Sequence, residues 1–538
     1  MPIIISIVII SLMPTKSAPV AYFCAEFGID SNLPTYAGGL GILAGDTLLE
    51  AGQQEFPMIG VGLLYQGRQF LQEFSSEGWQ EEDPSPFQPE ITKIVRPIEK
   101  SGMPVSIQLN FLNQEIKIVG YEQRLGPNTK LLLLSCDVEG NPEDWRNIMS
   151  AEYCCGDETQ LRQQLVLGIG GARFLSKLNV KPRLYHFQEG RPVFAYWEML
   201  KNKDNTKIVY TNHTLVPDGN LVYSADLVRS YADSFAQQHG LNSDDLINPG
   251  LNETGGFSIT KYGLEIADTV SAVSKLHGKL CQKNWPQYEW KTVTNGVHLP
   301  RWQKYEFRHS NIPDEKLWST HQSKKQELAR IVNKRSGFEY DPNRLVLGWA
   351  RRISAYKQVN KIFEDIQRLE KIVKNSERPV QILIAGKAHP GDDAGKKCVQ
   401  DVMKIMTKHL SGHALFIPNY DIALASHLVS GVDVWLNTPE YGKEACGTSG
   451  MKAAANGVLN CSVTDGWVAE ANIEESGWTI DHTDLSNNLY HLLEHEIAPL
   501  YYADDKSKWI AKMRTSLKLA QQFSAERMLK EYHKILYQ

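Results

Sequence analysis

GVDVWLNTPEYGKEACGTSGMKAAANGVLNCSVT, Gly431–Thr464, holds the pattern on which the fold turns. GVDVWLN is apolar on both faces, EYGKEACGTSG is a loop of small and polar residues, MKAAANG reads as a helix, and VLNCSVT reads as the next strand. A strand apolar on both faces suits a parallel sheet with helices on either side. Short apolar runs followed by helix-length segments recur as KIVYTNHT, RLVLGWARR, VQILIAGKA and HALFIP. The expected fold is therefore doubly wound α/β.

The alternation occurs twice, once before about residue 300 and again after about residue 341. Between the two sets, TNGVHLPRWQKYEFRHSNIP is rich in Pro, Gly and Asn and breaks the pattern. The expected division is an apolar leader at 1–18, an N-terminal α/β domain at 19–300, a linker region at 301–340, a C-terminal α/β domain at 341–500 and amphipathic C-terminal helices at 501–538, with FS between two of them. Strand-end loops of the two domains would then face a common cleft, the place where open α/β sheets bind ligands.

The chain has 538 residues, a net charge of -5 and eight scattered cysteines. That charge gives no reason to expect nucleic acid or an acidic membrane as a partner. No CxxC pair or Cys/His metal spacing occurs, so reduced thiols and a cytoplasmic location are expected, with no metal. The leader run IIISIVIISLM is too short to span a bilayer and lacks a basic n-region, so it reads as a leader of uncertain role, with Met13 as an alternative start.

Lys452 sits in the first turn of the helix read after the GTSG turn, where the helix dipole is already positive. Backbone N–H groups of Gly447, Thr448, Ser449 and Gly450 at such a start suit a phosphate. The same field disfavours a charged ammonium, and an easily deprotonated lysine can form an imine with an aldehyde. Loop and lysine together suit a phosphorylated aldehyde, of which pyridoxal 5'-phosphate is the common one. A surface lysine on a capped helix remains the plainer alternative.

Three further strand-end loops stand out. YAGGLGILAGD, Tyr36–Asp46, matches G-x-G-x-x-A but lacks the acidic residue of a dinucleotide site, so its glycines suit a single anion or a tight turn. WARRISAYKQ, Trp349–Gln358, places Arg351, Arg352 and Lys357 where three cations could hold phosphate. GKAHPGDDAG, Gly386–Gly395, carries Lys387 and His389 and reads as a hinge or a wall of the site. His213 and His298 read as satisfied structural groups.

Taken together, EACGTSGMKAAANGVLNCSVTDGW, AEFGIDSNLPTYAGGLGILAGD, ARRISAYK, IAGKAHPGDDAGK, YDIALASHLVSGVDVWLN, LVLGIGGAR and TNGVHLPRW resemble, in order, the α-glucan phosphorylase family, in its short bacterial and archaeal type. The resemblance spans about residues 20–470. It implies two Rossmann-like domains of the glycosyltransferase B type, a pyridoxal-phosphate cofactor, and reversible phosphorolysis of α-1,4-glucan or maltodextrin ends by inorganic phosphate to α-D-glucose 1-phosphate with retention. It further implies that Lys452 holds the cofactor aldehyde, that Gly447, Thr448, Arg351 and Tyr420 surround its phosphate, that Arg352, Lys357 and the Gly38–Gly39 loop hold the substrate phosphate, and that Glu444 and Asn295 bind glucose hydroxyls. It also implies a homo-oligomer, and no control by the regulatory arm that larger members carry.

Two positions depart from the family pattern. HFQEGRPVFAYWE has Arg191 where the family has a histidine lining the glucose pocket, and LRQQLVLG lacks the acidic residue expected before VLG. A milder departure is Cys446 in place of serine. Arg191 keeps open a catalytically weakened carbohydrate-binding or regulatory homologue that retains the cofactor, and the shared fold keeps open a nucleotide-sugar glycosyltransferase.

Overall fold

The computed structural model describes residues 18–33, 35–67, 70–83, 94–152, 156–309 and 311–538. Apart from residue 18, the apolar leader falls outside them, as do Cys154 and Cys155. Two sheets organise the chain. The first has ten strands, and its parallel part runs, from one edge, Trp290–Thr292, Thr269–Ala272, Lys207–Asn212, Leu184–Gln188, Val20–Phe23, Met58–Leu63 and Thr129–Ser135. The second has six strands, all parallel, in the order Ala414–Ile417, Val380–Ala385, Leu345–Ala350, Val434–Asn437, Leu459–Val463 and Gly477–Ile480.

Renumbered along the chain, the parallel strands of both sheets follow the order 3-2-1-4-5-6, with one more strand at the far edge of the first. This doubly wound order reverses direction once, and the crevice at the reversal is where such sheets hold ligands. In the first sheet the reversal lies between Val20–Phe23 and Leu184–Gln188, and in the second between Leu345–Ala350 and Val434–Asn437. The apolar runs explain the strands. Every residue of Val20–Phe23, Met58–Leu63, Leu345–Ala350, Val380–Ala385 and Val434–Asn437 is buried, as parallel strands between two helical layers require.

Three features differ from the sequence reading. The first sheet gains an antiparallel extension, in which Gln114–Arg124 pairs with Thr129–Ser135 and also with Ser106–Phe111 and Arg96–Pro97. Ser106–Phe111 alternates buried and exposed residues, the pattern of a sheet with one solvated face, rather than reading as a continuous apolar run. The stretch read as a linker contains Asp314–Ser336, the longest helix among the described residues. Its Lys, Glu and Arg residues hid a buried stripe of Leu317, His321, Leu328 and Val332, of which Leu328 and Val332 pack near Leu424 and Leu428. Finally, the C-terminal helices divide between the two halves. Trp509, Ile510 and Met513 join the core of the second sheet, whereas Ala525, Met528, Leu529 and Tyr532 pack with Val20, Tyr22 and Leu43 of the first.

The chain thus crosses twice between the halves, and the crossings bond to each other. Val297 donates its N–H to the Phe523 carbonyl at 3.0 Å, and Ala525 donates to the Val297 carbonyl at 2.8 Å. A hairpin of Leu71–Phe74 and Gln80–Asp83 makes another tie. Gln80 gives its side-chain N–H to the Ala388 carbonyl and takes the Ala388 N–H, both at 3.0 Å, while Gln72 donates to the Gly386 carbonyl at 2.9 Å. The Gly386–Gly395 loop is therefore gripped by the first half. Lys387 points its ammonium at the Phe70 carbonyl, 2.8 Å away.

Candidate active site

The two reversals bring the motif loops together. After Leu345–Ala350 comes Arg351, and after Val434–Asn437 comes the loop that carries Glu444 and leads into the short helix Ser449–Ala454. Arg351 donates to Glu444 Oε2 at 3.2 Å and to Ser449 Oγ at 3.0 Å. Lys357 donates to the same Glu444 oxygen. All three side chains are nearly enclosed. Burial alone would push the Glu444 carboxyl up, but Lys357, Arg351 and Arg352 outweigh it and hold the group below the usual carboxylate range. Arg352 itself is exposed. Tyr420 lies close enough to Arg351 and Tyr36 to feel both, and burial raises its phenol well above the ordinary value.

Lys452 is 7% exposed, and its ammonium rests 4.2 Å from the centroid of the Trp302 ring. Burial pushes it down to about 8, Asp46 opposes that shift and Arg301 adds to it. The dipole reasoning thus reached the right direction, but desolvation supplies the largest cause. The helix itself starts at Thr448 without a side-chain cap, leaving first-turn N–H groups for another acceptor. Helix and strand close up tightly, since a Cβ on Gly450 would lie 2.5 Å from Asn460 Oδ1.

The first half contributes from its own reversal. The Gly38–Gly39 turn opens the helix Gly39–Gln53, and a Cβ on either glycine would meet nothing within 4 Å. The N–H groups of Ala37 and Gly38 are both donated to Glu26 Oε2 at 2.8 Å, so Glu26 already claims part of the anion cradle read from the sequence. Asn295 is 3% exposed and donates to the Cys446 carbonyl at 3.3 Å, while its own Oδ1 has no partner. Ser274 donates to the Ala445 carbonyl at 2.6 Å. The loop before Lys452 is therefore clasped from across the cleft.

Arg191 donates to Gln160 Oε1 at 3.2 Å and shares with Gln164, Tyr65 and Leu167 a cavity of about 10 Å³, room for one water. The two departures from the family pattern, Arg191 and the LRQQLVLG stretch that contributes Gln163 and Gln164, are thus spatial neighbours. His213 and His298 are satisfied structural groups. His213 bonds Gln188 Oε1 at 2.7 Å, and His298 bonds Glu50 at 2.9 Å.

Sequence reasoning missed the residues that hold this arrangement. Asp465 accepts the N–H groups of Gly442 and Glu444, which fixes the Glu444 loop. Arg527, on a C-terminal helix, donates to the Thr294 and Asn295 carbonyls at 2.6 and 2.8 Å. Nothing local to these residues reveals such partners, which lie up to 233 positions away.

A buried lysine near neutrality, an uncapped helix start, and Arg351 with a buried Nε that has no partner form a set suited to an aldehyde bearing a phosphate.

Residues 293–477 match the family model described as carbohydrate phosphorylase. Similar curated proteins include maltodextrin phosphorylase of Thermococcus litoralis, 35% identical over 96% of this chain and 70% of its own length. Glycogen phosphorylase of Aquifex aeolicus is 33% identical over 96% of this chain and 86% of its own length. An uncharacterized protein of Methanocaldococcus jannaschii is 30% identical over 96% and 99%. With identities of this size over most of both chains, and with the motif loops gathered at both sheet reversals, the chain belongs to the carbohydrate phosphorylase family.

Proposed function

We propose that the protein is an α-glucan phosphorylase, cleaving α-1,4-glucan or maltodextrin ends with inorganic phosphate to give α-D-glucose 1-phosphate with retained configuration. The observation that carries this reading is the meeting of Arg351, Lys357 and Glu444 where the strand order of the second sheet reverses, with Arg351 also bonded to Ser449 at the start of the helix that carries Lys452.

Lys452 would hold pyridoxal phosphate, with Gly447, Thr448, Arg351 and Tyr420 around its phosphate. When bound, the cofactor supplies a phosphate whose second pKa, about 6, lets it give and take a proton near neutrality. Arg352 and Lys357, with the Gly39 N–H, hold the attacking phosphate. Anions placed side by side repel, and the three cations near Glu444 offset that repulsion. Glu444 accepts from a sugar hydroxyl while keeping Arg351 and Lys357 in place. Asn295 offers its unpartnered Oδ1 to a second hydroxyl. Phosphate fixed beneath the sugar stabilises the positive charge that develops as the glycosidic bond breaks. The buried walls keep out water, which would otherwise hydrolyse the glucan. Reduced cysteines, six of them free among the described residues, agree with work in the cytoplasm.

The test is to incubate the protein with maltodextrin and phosphate. Release of glucose 1-phosphate is expected. Failure to form it with any α-glucan, by a protein that carries the cofactor, overturns the reading in favour of a binding role.

A further inference from the structure

Asp46 lies in the helix Gly39–Gln53, two turns beyond the glycine loop, and is 1% exposed. Its carboxylate takes three hydrogen bonds, all from the crossing segment between the halves. Trp302 donates its indole N–H to Oδ2 at 2.8 Å, His298 gives its backbone N–H to the same oxygen at 3.2 Å, and Arg301 donates to Oδ1 at 3.0 Å. The Trp302 backbone is tied to the lysine helix as well. Asn456 donates at 2.9 Å to the carbonyls of both Trp302 and Lys452.

That ring is the surface against which the Lys452 ammonium sits, 4.2 Å from its centroid. The Arg301 guanidinium lies 5.0 Å from the same centroid. Two cations on one indole repel, and Asp46 is the carboxylate that offsets them, bonding one cation directly and reaching the other across the ring. The charged groups acting on Lys452 are Asp46 from one half and Arg301 from the crossing segment. Beyond Asp46 on its helix stands Glu50, already engaged with His298.

We propose that Asp46 is a positioning residue for Lys452: through the Trp302 indole it fixes the surface on which the lysine nitrogen rests, and it ties the glycine-loop helix of the first half to the lysine of the second. The role of that lysine as the cofactor's anchor rests on the function proposed above. Loss of the Asp46 charge has two opposite consequences. The lysine loses the anion that favours its charged form, so it deprotonates more readily. One of the two oxygens that share the three donors is also lost, so the hydrogen bonds that fix the indole weaken and the wall of the cofactor site loosens.

The experiment uses the full chain freed of bound aldehyde with hydroxylamine, as wild type, Asp46→Asn and Trp302→Phe. Methylation of Lys452 by formaldehyde and cyanoborohydride is followed between pH 6 and 10 by peptide mass spectrometry, and retention of added pyridoxal phosphate is followed by dialysis. Wild type should show a midpoint near the value of about 8 that burial gives this lysine. Asp46→Asn should shift the midpoint down by about one pH unit, about a fivefold gain in neutral amine at pH 7, yet retain pyridoxal phosphate about tenfold less well. Trp302→Phe keeps a ring and the Arg301–Asp46 bond, so it should lose retention without lowering the midpoint. A midpoint and a retention in Asp46→Asn equal to wild type overturn the proposal. Should Asp46→Asn fail to fold, unchanged retention in Trp302→Phe overturns it instead. If wild type takes no pyridoxal phosphate at Lys452, the anchor role falls, while the methylation shift still decides whether Asp46 governs this lysine.

Discussion

Replacing Glu444 with glutamine keeps the shape of the side chain and removes the one anion that Arg351 and Lys357 share. Arg351 Nη1 lies 3.2 Å from Glu444 Oε2, and at an effective dielectric of about 20 that single pair attracts by about 5 kcal/mol before desolvation. The Arg351, Lys357 and Glu444 side chains are 9%, 10% and 14% exposed, so little solvent screens them once the partner is gone. Removing one member of a buried charge pair costs about 3 to 5 kcal/mol, and the lower figure suits a glutamine that can still accept one hydrogen bond. Thermal unfolding of the cofactor-free proteins at pH 7 should show Glu444→Gln several degrees below wild type. The difference has a defined pH dependence. The Glu444 carboxyl in the fold is held below its ordinary value, so its contribution is complete above the unfolded pKa of about 4.3 and fades as pH falls through the folded value. Inorganic phosphate should restore part of the variant's stability by pairing the released cations, and more than it stabilises wild type. Phosphorolysis should fall at least tenfold in kcat/KM, the loss of one charged hydrogen bond to the sugar. A variant as stable as wild type at pH 7, with no added response to phosphate, would refute the reasoning that this carboxylate organises the cations.

Other perturbations separate the remaining parts. In the cofactor-free protein, Lys452→Met should stabilise the fold by about 3 kcal/mol at pH 7, because charging the buried lysine is disfavoured from an unfolded pKa of about 10.4 down to about 8; the gain is full below pH 8, fades toward pH 10.4, and is read from thermal midpoints across that range. Gln80→Leu leaves the Ala388 N–H and carbonyl unpaired at the hairpin contact and should cost about 3 kcal/mol, seen as a lower thermal midpoint and faster proteolysis. Arg191→His removes the bond to Gln160 and the fixed cation that acts on the buried Glu152 and Glu189 carboxyls, so stability should fall by at least about 1 kcal/mol, read from the thermal midpoint; a large gain in glucose 1-phosphate formation would show that the arginine restrains the site.

The strand cores were readable because both faces of Leu345–Ala350 and Val434–Asn437 are apolar, and that alone announces a covered parallel sheet. The reading of Lys452 rested on local chemistry, a small-residue turn followed by a helix, and the structure adds burial as the stronger cause of its depressed pKa. What stayed hidden depends on long-range partners. Asp46 and Trp302 are 256 positions apart, and neither carries a local signal of the other. The helix Asp314–Ser336 was read as linker because its charged residues dilute the apolar stripe. Glu26 was passed over because nothing in AEFGI indicates that its carboxylate returns to the Ala37 and Gly38 N–H groups.

Reduction of the native protein with borohydride, followed by peptide mass spectrometry, bears most directly on the claim that a cofactor is anchored where the second sheet reverses. A pyridoxal-phosphate mass fixed on the peptide containing Lys452, and absent from Lys452→Met, is the expected result. Native protein that carries no such mass, or carries it on another lysine, would contradict the assignment.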